Sequence, residues 1–72
     1  MTTSELARIL KDRYDRAPYR DKAAHVVMFG IEFGDELASH SIAEITAMSQ
    51  IGKWGPQVAL GRKLANFVQI KK

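Results

Sequence analysis

The sequence predicts one small all-α domain, a bundle of about four helices that spans residues 1–72. Apolar residues recur at intervals of three and four, proline and glycine separate the periodic segments, and Thr/Ser-x-x-Glu motifs stand where helices should begin. A chain of 72 residues without cysteine has room for one hydrophobic core, and neither disulfides nor a thiolate metal site can reinforce it. Hydrophobic packing must therefore hold the fold.

The first helix is predicted over residues 4–17. Thr2 and Glu5 form a capping-box pattern, in which each side chain accepts a hydrogen bond from the backbone N–H of the other residue. Pro18 ends the helix because the residue before a proline is pushed out of the α region. The predicted inner stripe is Leu6, Ile9, Leu10, Tyr14 and Ala17.

The next segment, residues 21–38, is apolar on more than one side, which predicts a central helix. A strand over residues 26–33 is the competing interpretation, since this piece is rich in β-branched and aromatic residues. Gly30 and Gly34 would present a bare strip that a neighbouring helix can approach closely, unless Gly30 breaks the helix. The two apolar stripes are Ala24, Val27, Met28 and Ile31, and Val26, Phe29, Phe33 and Leu37.

Two more helices are predicted in the C-terminal half. Ser41 and Glu44 form a second capping-box pattern, which opens a helix over residues 42–49. The glycine-rich segment 50–56 is the turn, and Gly55 and Pro56 suit the N-cap and first position of a fourth helix over residues 56–65. The tail, residues 67–72, predicts a short strand or a docked extended end. The inner residues are predicted to be Ile42, Ile45 and Met48 in the third helix and Val58, Gly61, Leu64 and Ala65 in the fourth.

Charge is distributed unevenly along the chain. Residues 1–22 carry a net charge of +2, residues 23–44 carry −4, and the residues after Glu44 carry +5 without a single carboxylate side chain. Clustered charge of one sign favours an anionic partner. The C-terminal half is therefore predicted to present one basic surface.

Residues 41–65 read SIAEITAMSQIGKWGPQVALGRKLA, two short helical patterns joined by a turn. This run resembles the small bacterial helix-turn-helix-like DNA-binding domains. It departs from their usual pattern in a longer turn and in Gln50, which stands where a turn glycine is usual. The resemblance implies binding of duplex DNA through the fourth helix, with a homodimer or a larger protein assembly as the working form. The residues that carry the resemblance are Ile42, Ile45, Ile51 and Val58.

The candidate nucleic-acid contacts lie on and around the fourth helix. Gln57 could pair with adenine, Arg62 could bind guanine or a phosphate, and Lys63 and Asn66 could bind backbone oxygens. The alternative interpretation is that these residues form an ordinary solvated helix face that binds no ligand. The complete set is Lys53, Gln57, Arg62, Lys63, Asn66, Lys71 and Lys72.

Nothing in the sequence predicts catalysis, a cofactor, a metal site or a small-molecule substrate. His25 and His40 lie far apart in the sequence without a metal-binding motif, so each is interpreted as a structural histidine. The neighbours Asp35 and Glu36 point about 100° apart on a helix and do not form a facing acid pair. We therefore expect a binding protein and not an enzyme.

Two alternatives to DNA binding stay open. One is a protein-interaction domain that borrows the helix-turn-helix shape, and the other is an accessory subunit of a nucleic-acid enzyme. The longest mainly apolar run, residues 23–31, is too short to span a membrane, and the N-terminus lacks a signal-peptide pattern, so we expect a cytoplasmic protein. Trp54 is expected to anchor the core. The apolar docking patch of the first alternative would comprise Trp54, Phe67, Val68 and Ile70.

Overall fold

The computed structural model describes residues 1–68 and contains, within them, five α-helices, one short 3₁₀ helix and no strand. The all-α prediction is confirmed. Phe67 lies in a turn after the last helix, and residues 69–72 of the predicted strand lie outside the described part of the chain. No helix within residues 1–68 is long and apolar enough to cross a membrane. The elements are α1 (Thr3–Arg16), the 3₁₀ helix (Tyr19–Asp21), α2 (Lys22–Glu32), α3 (Gly34–Leu37), α4 (Ile42–Ser49) and α5 (Gly55–Leu64).

Helix α1 begins and ends where the sequence predicts. The Glu5 amide donates to Thr2 Oγ1 at 3.1 Å, and the Thr2 amide donates to Glu5 Oε1 at 3.0 Å, which completes the capping box. These hydrogen bonds favour the charged carboxylate and hold the pKa of Glu5 below its ordinary value. Ala17 caps the other end in an extended conformation directly before Pro18.

The prediction of a single central helix is wrong, because the structure divides this segment into two helices at Phe33. Helix α2 runs through Gly30 without a break and ends at Glu32, so neither a strand nor a break at Gly30 is observed. Phe33 has ψ 24°, far from the helical value, yet its amide donates to the Phe29 carbonyl and its carbonyl accepts from the Leu37 amide. Phe33 is therefore a hinge shared by α2 and α3.

Helix α4 places two of its three predicted inner residues on the core, Ile45 and the half-buried Ile42, but not the third. Ile45 is buried as expected, but Met48 is 52% exposed, and Thr46 and Ser49 are buried in its place. Both hydroxyls find acceptors within the helix: Thr46 donates to the Ile42 carbonyl at 3.1 Å, and Ser49 donates to the Thr46 carbonyl at 2.7 Å. Burial of these polar side chains is tolerated because their hydrogen bonds are satisfied.

The core draws on all five helices and on the turn between α4 and α5. Helix α1 packs against α2 and α4, and α5 packs against α2, α3 and α4. Half-buried residues, including Tyr14 and Trp54, complete this core. Its buried members are Leu6, Ala7, Leu10, Val26, Phe29, Leu37, Ile45, Ile51 and Val58.

Candidate nucleic-acid interface

The turn between α4 and α5 sets the direction in which α5 leaves. Gln50 follows α4 with φ 59°, in the left-handed region, and Gly52 has φ 102°. Ile51, between them, is buried and anchors the turn in the core. Gln50 thus adopts the conformation for which related turns use glycine, at a cost in strain that glycine would not incur.

Helix α5 is fixed on one side by a glycine contact with α2. A Cβ added at Gly30 would lie 2.5 Å from the Val58 carbonyl oxygen and 2.9 Å from Gly61 Cα. Gly34 extends the contact, since a Cβ there would lie 2.7 Å from Ala65 Cβ. The predicted bare strip on the central segment is confirmed. Gly61 on α5 also has no side chain, so the backbones of α2 and α5 contact each other directly at this position.

The opposite side of α5 is open and cationic. Arg62, Lys63 and Asn66 are exposed, and together with Ala59 they line a surface depression of about 330 Å³. Among residues 1–68, no carboxylate lines this depression. The arrangement offers guanidinium, ammonium and amide donors to an anion at the C-terminal end of α5 and in the turn after it.

Gln57 does not join this group. It lies five residues before Arg62, which places the two side chains about 140° apart around the helix axis. Its Oε1 atom is buried and has no hydrogen-bond partner in the described part of the chain. A bidentate contact with adenine needs both the oxygen and the nitrogen of the amide, so this geometry leaves only the nitrogen for such a contact.

The remaining cations are placed differently. Lys53 is exposed in the turn directly before α5, near the N-terminal end of that helix. Lys71 and Lys72 lie outside the described residues. The structure therefore brings together Arg62, Lys63 and Asn66, with Lys53 at the other end of the same helix.

The exposed side of α5 also carries apolar residues, which the sequence analysis only partly anticipated. Leu60 is 50% exposed and Phe67 is 80% exposed. Trp54, proposed for an apolar patch in one alternative, instead packs its ring edge-on against Tyr14 at 5.7 Å between centroids, as the core-anchor prediction expects. Ile70 lies outside the described residues. Leu60 lies on α5 and Phe67 in the turn after it, and the exposure of Leu60 could be inferred from the helical period only if the buried face of α5 had been known.

The acidic groups of α1 and α2 are largely engaged in ion pairs away from α5. Lys11 pairs with Asp15 and Arg16 with Asp12 on α1, each at 3.1 Å. Arg13 Nη1 donates to Glu32 Oε2 across α1 and α2. Both pairs on α1 join residues four apart on its exposed outer face.

Neither histidine belongs to a cluster of metal ligands. His40 Nδ1 lies 3.1 Å from the Thr3 hydroxyl, a hydrogen bond that joins the start of α1 to the segment before α4. Within residues 1–68, no group of three or more histidine, aspartate or glutamate side chains is placed to hold a metal ion.

Two helices joined by a buried turn, with the second helix open on one side, define a small helix-turn-helix-like class of protein. The model of the HTH-like domain family matches residues 2–71, so the chain belongs to that family. Neither a curated protein nor a solved structure matches the chain at a significant level.

Proposed function

We propose that this HTH-like domain binds duplex DNA through the open side of α5. The observation that carries the proposal is the exposed group of Arg62, Lys63 and Asn66 around a depression to which residues 1–68 contribute no carboxylate. Lys53 adds a cation at the N-terminal end of the helix, and Lys71 and Lys72 add charge to the same acid-free half of the sequence. Membership of the HTH-like family supports the same function.

The contacts we propose are mainly with phosphates. An arginine guanidinium can donate two parallel hydrogen bonds to a phosphate, and lysine and asparagine can each donate to backbone oxygens. Such contacts supply affinity but carry no sequence information. Because the Gln57 oxygen is buried, we propose that the domain discriminates weakly between DNA sequences.

The proposed role is one of binding without catalysis, in the cytoplasm, where bacterial DNA is accessible. A homodimer or a larger assembly would gain affinity by contacting two sites on one duplex. A titration with a duplex compares the bound and free states of the full chain directly.

The test is a fluorescence-anisotropy titration of the full chain with a labelled generic duplex at several salt concentrations. If five cations contact phosphates, the slope of log affinity against log salt is about −4.5. The double variant R62Q/K63Q should reduce that slope by about 1.8. R8Q/K11Q is the matched control, since it removes the same two charge types from exposed positions on α1.

A salt-independent affinity in the wild type would contradict the proposal, as would equal losses in R62Q/K63Q and R8Q/K11Q. An NMR titration with the same duplex locates the contact independently. We expect chemical-shift changes to concentrate in residues 53–66. Changes confined to other parts of the chain would also count against binding through α5.

A second candidate function, protein binding, is supported by the exposed Leu60 and Phe67. Exposed apolar residues that lie close together mark protein-interaction surfaces. Sedimentation velocity over a concentration series tests for self-association. We expect L60Q/F67Q to weaken any association, whereas A59Q, on the cationic side of α5, should not. Association that is equal in both variants would exclude this surface as the contact.

A further inference from the structure

The loop between α1 and α2 carries the most exposed of the large apolar or aromatic side chains in the described part of the chain. Tyr19 is 90% exposed, and its neighbour Arg20 is also exposed. Neither side chain forms a hydrogen bond or an ion pair with residues 1–68. The fold therefore does not need these two side chains, and both are free to meet a partner.

The backbone beneath them is held firmly. The Asp21 amide donates to the Pro18 carbonyl at 2.9 Å, which closes the 3₁₀ turn. Lys22 Nζ donates to the Tyr14 carbonyl at 2.6 Å and to the Ala17 carbonyl at 3.3 Å, so it satisfies the free carbonyls at the end of α1. Because the loop is already ordered, little additional backbone entropy is lost when its side chains bind.

The end of this loop is connected to the start of α5 through two aromatic rings. Lys22, which directly follows the loop, lies over the Tyr14 ring with its Nζ 4.3 Å from the ring centroid. The Tyr14 ring, in the last turn of α1, contacts the Trp54 ring at 5.7 Å between centroids. Trp54 directly follows Lys53 and caps the start of α5. The end of α1, the loop after it and Lys53 therefore share one end of the molecule.

The cationic group on α5 lies toward the opposite end of the same helix. Arg62 and Lys63 follow Trp54 by eight and nine residues, which corresponds to about 12–14 Å along the helix axis. The major groove of B-DNA is about 12 Å wide, and a phosphate backbone borders it on each side. A helix lying across the groove would therefore place its two ends against opposite strands.

On the basis of the proposed DNA binding, we propose that Tyr19 and Arg20 form a second contact with the phosphate backbone. The Tyr19 hydroxyl donates to a phosphate oxygen, and the Arg20 guanidinium binds a neighbouring phosphate through two N–H groups. Lys53 adds charge on the same side. Asp21 is the adjacent carboxylate; it ends the 3₁₀ helix and occupies the N-cap position of α2, where a negative charge is favourable for that helix. The contact clamps one strand while Arg62 and Lys63 hold the other.

The test uses the same anisotropy titration with the full chain and a generic duplex. R20Q should reduce the magnitude of the salt slope by about 0.9, the value of one phosphate contact. Y19F removes only the hydroxyl and should weaken binding about two- to tenfold, as expected for one hydrogen bond, with the salt slope unchanged. R8Q removes one exposed arginine from the N-terminal half of α1 and should leave the slope unchanged. Thermal unfolding should be the same in all three variants, because these side chains are exposed.

The outcomes separate this proposal from the one on which it rests. If R62Q/K63Q weakens binding but R20Q and Y19F bind as tightly as R8Q, the second contact is wrong and binding through α5 stands. If the wild type shows no salt-dependent binding, both proposals fail. If R20Q and Y19F weaken binding as expected and R8Q does not, the loop is part of the interface.

Discussion

Replacing Gly61 with alanine tests whether α2 and α5 meet through their glycines. A Cβ at position 61 would lie 2.8 Å from Gly30 Cα and would overlap the Val27 carbonyl oxygen. These atoms belong to the backbone of α2, so they cannot move aside by a change of rotamer. The helices would have to separate.

The size of the effect follows from these distances. Carbon atoms pack at about 3.5–4.0 Å, so a contact at 2.8 Å requires a separation of about 1 Å. Overpacking of a close-packed core costs about 1–3 kcal/mol or more, and contacts with rigid backbone belong at the upper end. Alanine recovers about 1 kcal/mol in helix propensity. We therefore expect G61A to lower the free energy of unfolding by about 2 kcal/mol, out of about 4–11 kcal/mol for a domain of this length.

Urea denaturation monitored by the fluorescence of Trp54 measures this loss. For a small domain with an m-value of about 1 kcal/mol/M, the expected loss lowers the urea midpoint by about 2 M. A59Q is the control in the same helix, because Ala59 is exposed and glutamine has a helix propensity close to that of alanine. A59Q should stay within about 0.5 kcal/mol of the wild type.

G30A should destabilise the domain in the same direction as G61A, because both remove the same close approach. Together the two substitutions should cost less than the sum of their separate effects, since helices already forced apart accommodate the second methyl group more easily. A G61A midpoint equal to that of A59Q, or above that of the wild type, would refute the glycine contact and the position of α5 that depends on it.

Three further predictions concern the ends of helices, and each is measured by urea denaturation. Q50G should raise the free energy of unfolding by about 0.5–1 kcal/mol, because glycine relieves the left-handed strain at φ 59° and only part of the gain is lost to entropy of the unfolded chain. An unchanged or lower value would argue against that backbone conformation. K22M should lower the free energy of unfolding by about 2 kcal/mol, because it leaves two carbonyls at the end of α1 without their hydrogen bonds to Lys22. If K22M loses no more stability than K11M, the cap contributes little. The folded pKa of Glu5 is lowered, so its carboxylate contributes fully to the free energy of unfolding above the ordinary pKa of about 4.3, and this contribution is lost as pH falls through the folded pKa. E5Q should therefore lose less stability than the wild type over that pH range. Identical pH profiles of the two proteins would contradict this.

Signals that depend on a few neighbouring residues were sufficient for much of the fold. The Thr2 and Glu5 motif and Pro18 fixed the ends of α1, because capping and proline sterics act over a few residues. Gly30 and Gly34 predicted a close helix contact because their spacing places them on one face. Periodicity alone could not show that Gly61 lies opposite them, since that depends on how the helices are arranged.

Features that depend on tertiary packing were predicted less well. Met48 was expected inside because it is apolar, but the face that α4 presents to the core contains Thr46 and Ser49 instead. Small hydroxyl residues fit this face because they bond to carbonyls of their own helix. The hinge at Phe33 has no local proline to mark it. The sequence carried no signal for either outcome.

In the candidate site, too, local signals in the sequence predicted more than could be predicted about tertiary packing. The acid-free run after Glu44 predicted a cationic surface from composition alone, and Arg62 and Lys63 are exposed together. Gln57 was placed with them because it is polar and near the helix start. Its angular distance from Arg62 was calculable from the helical period, but its burial depended on which face of α5 meets the rest of the fold.

The exposed side of α5 has a cationic half and an apolar half, and Lys63 lies between them. From Lys63, Arg62 is about 100° away around the axis in one direction, and Leu60 is about 60° away in the other. A duplex held by phosphate contacts would use the half that contains Arg62 and Asn66. A second protein molecule would cover Leu60 and Phe67, where burial of apolar surface is favourable. Because the two halves face different directions, DNA binding and protein association need not compete. A dimer formed through the apolar half would present two cationic halves, which raises the affinity for one duplex by linking two weak contacts.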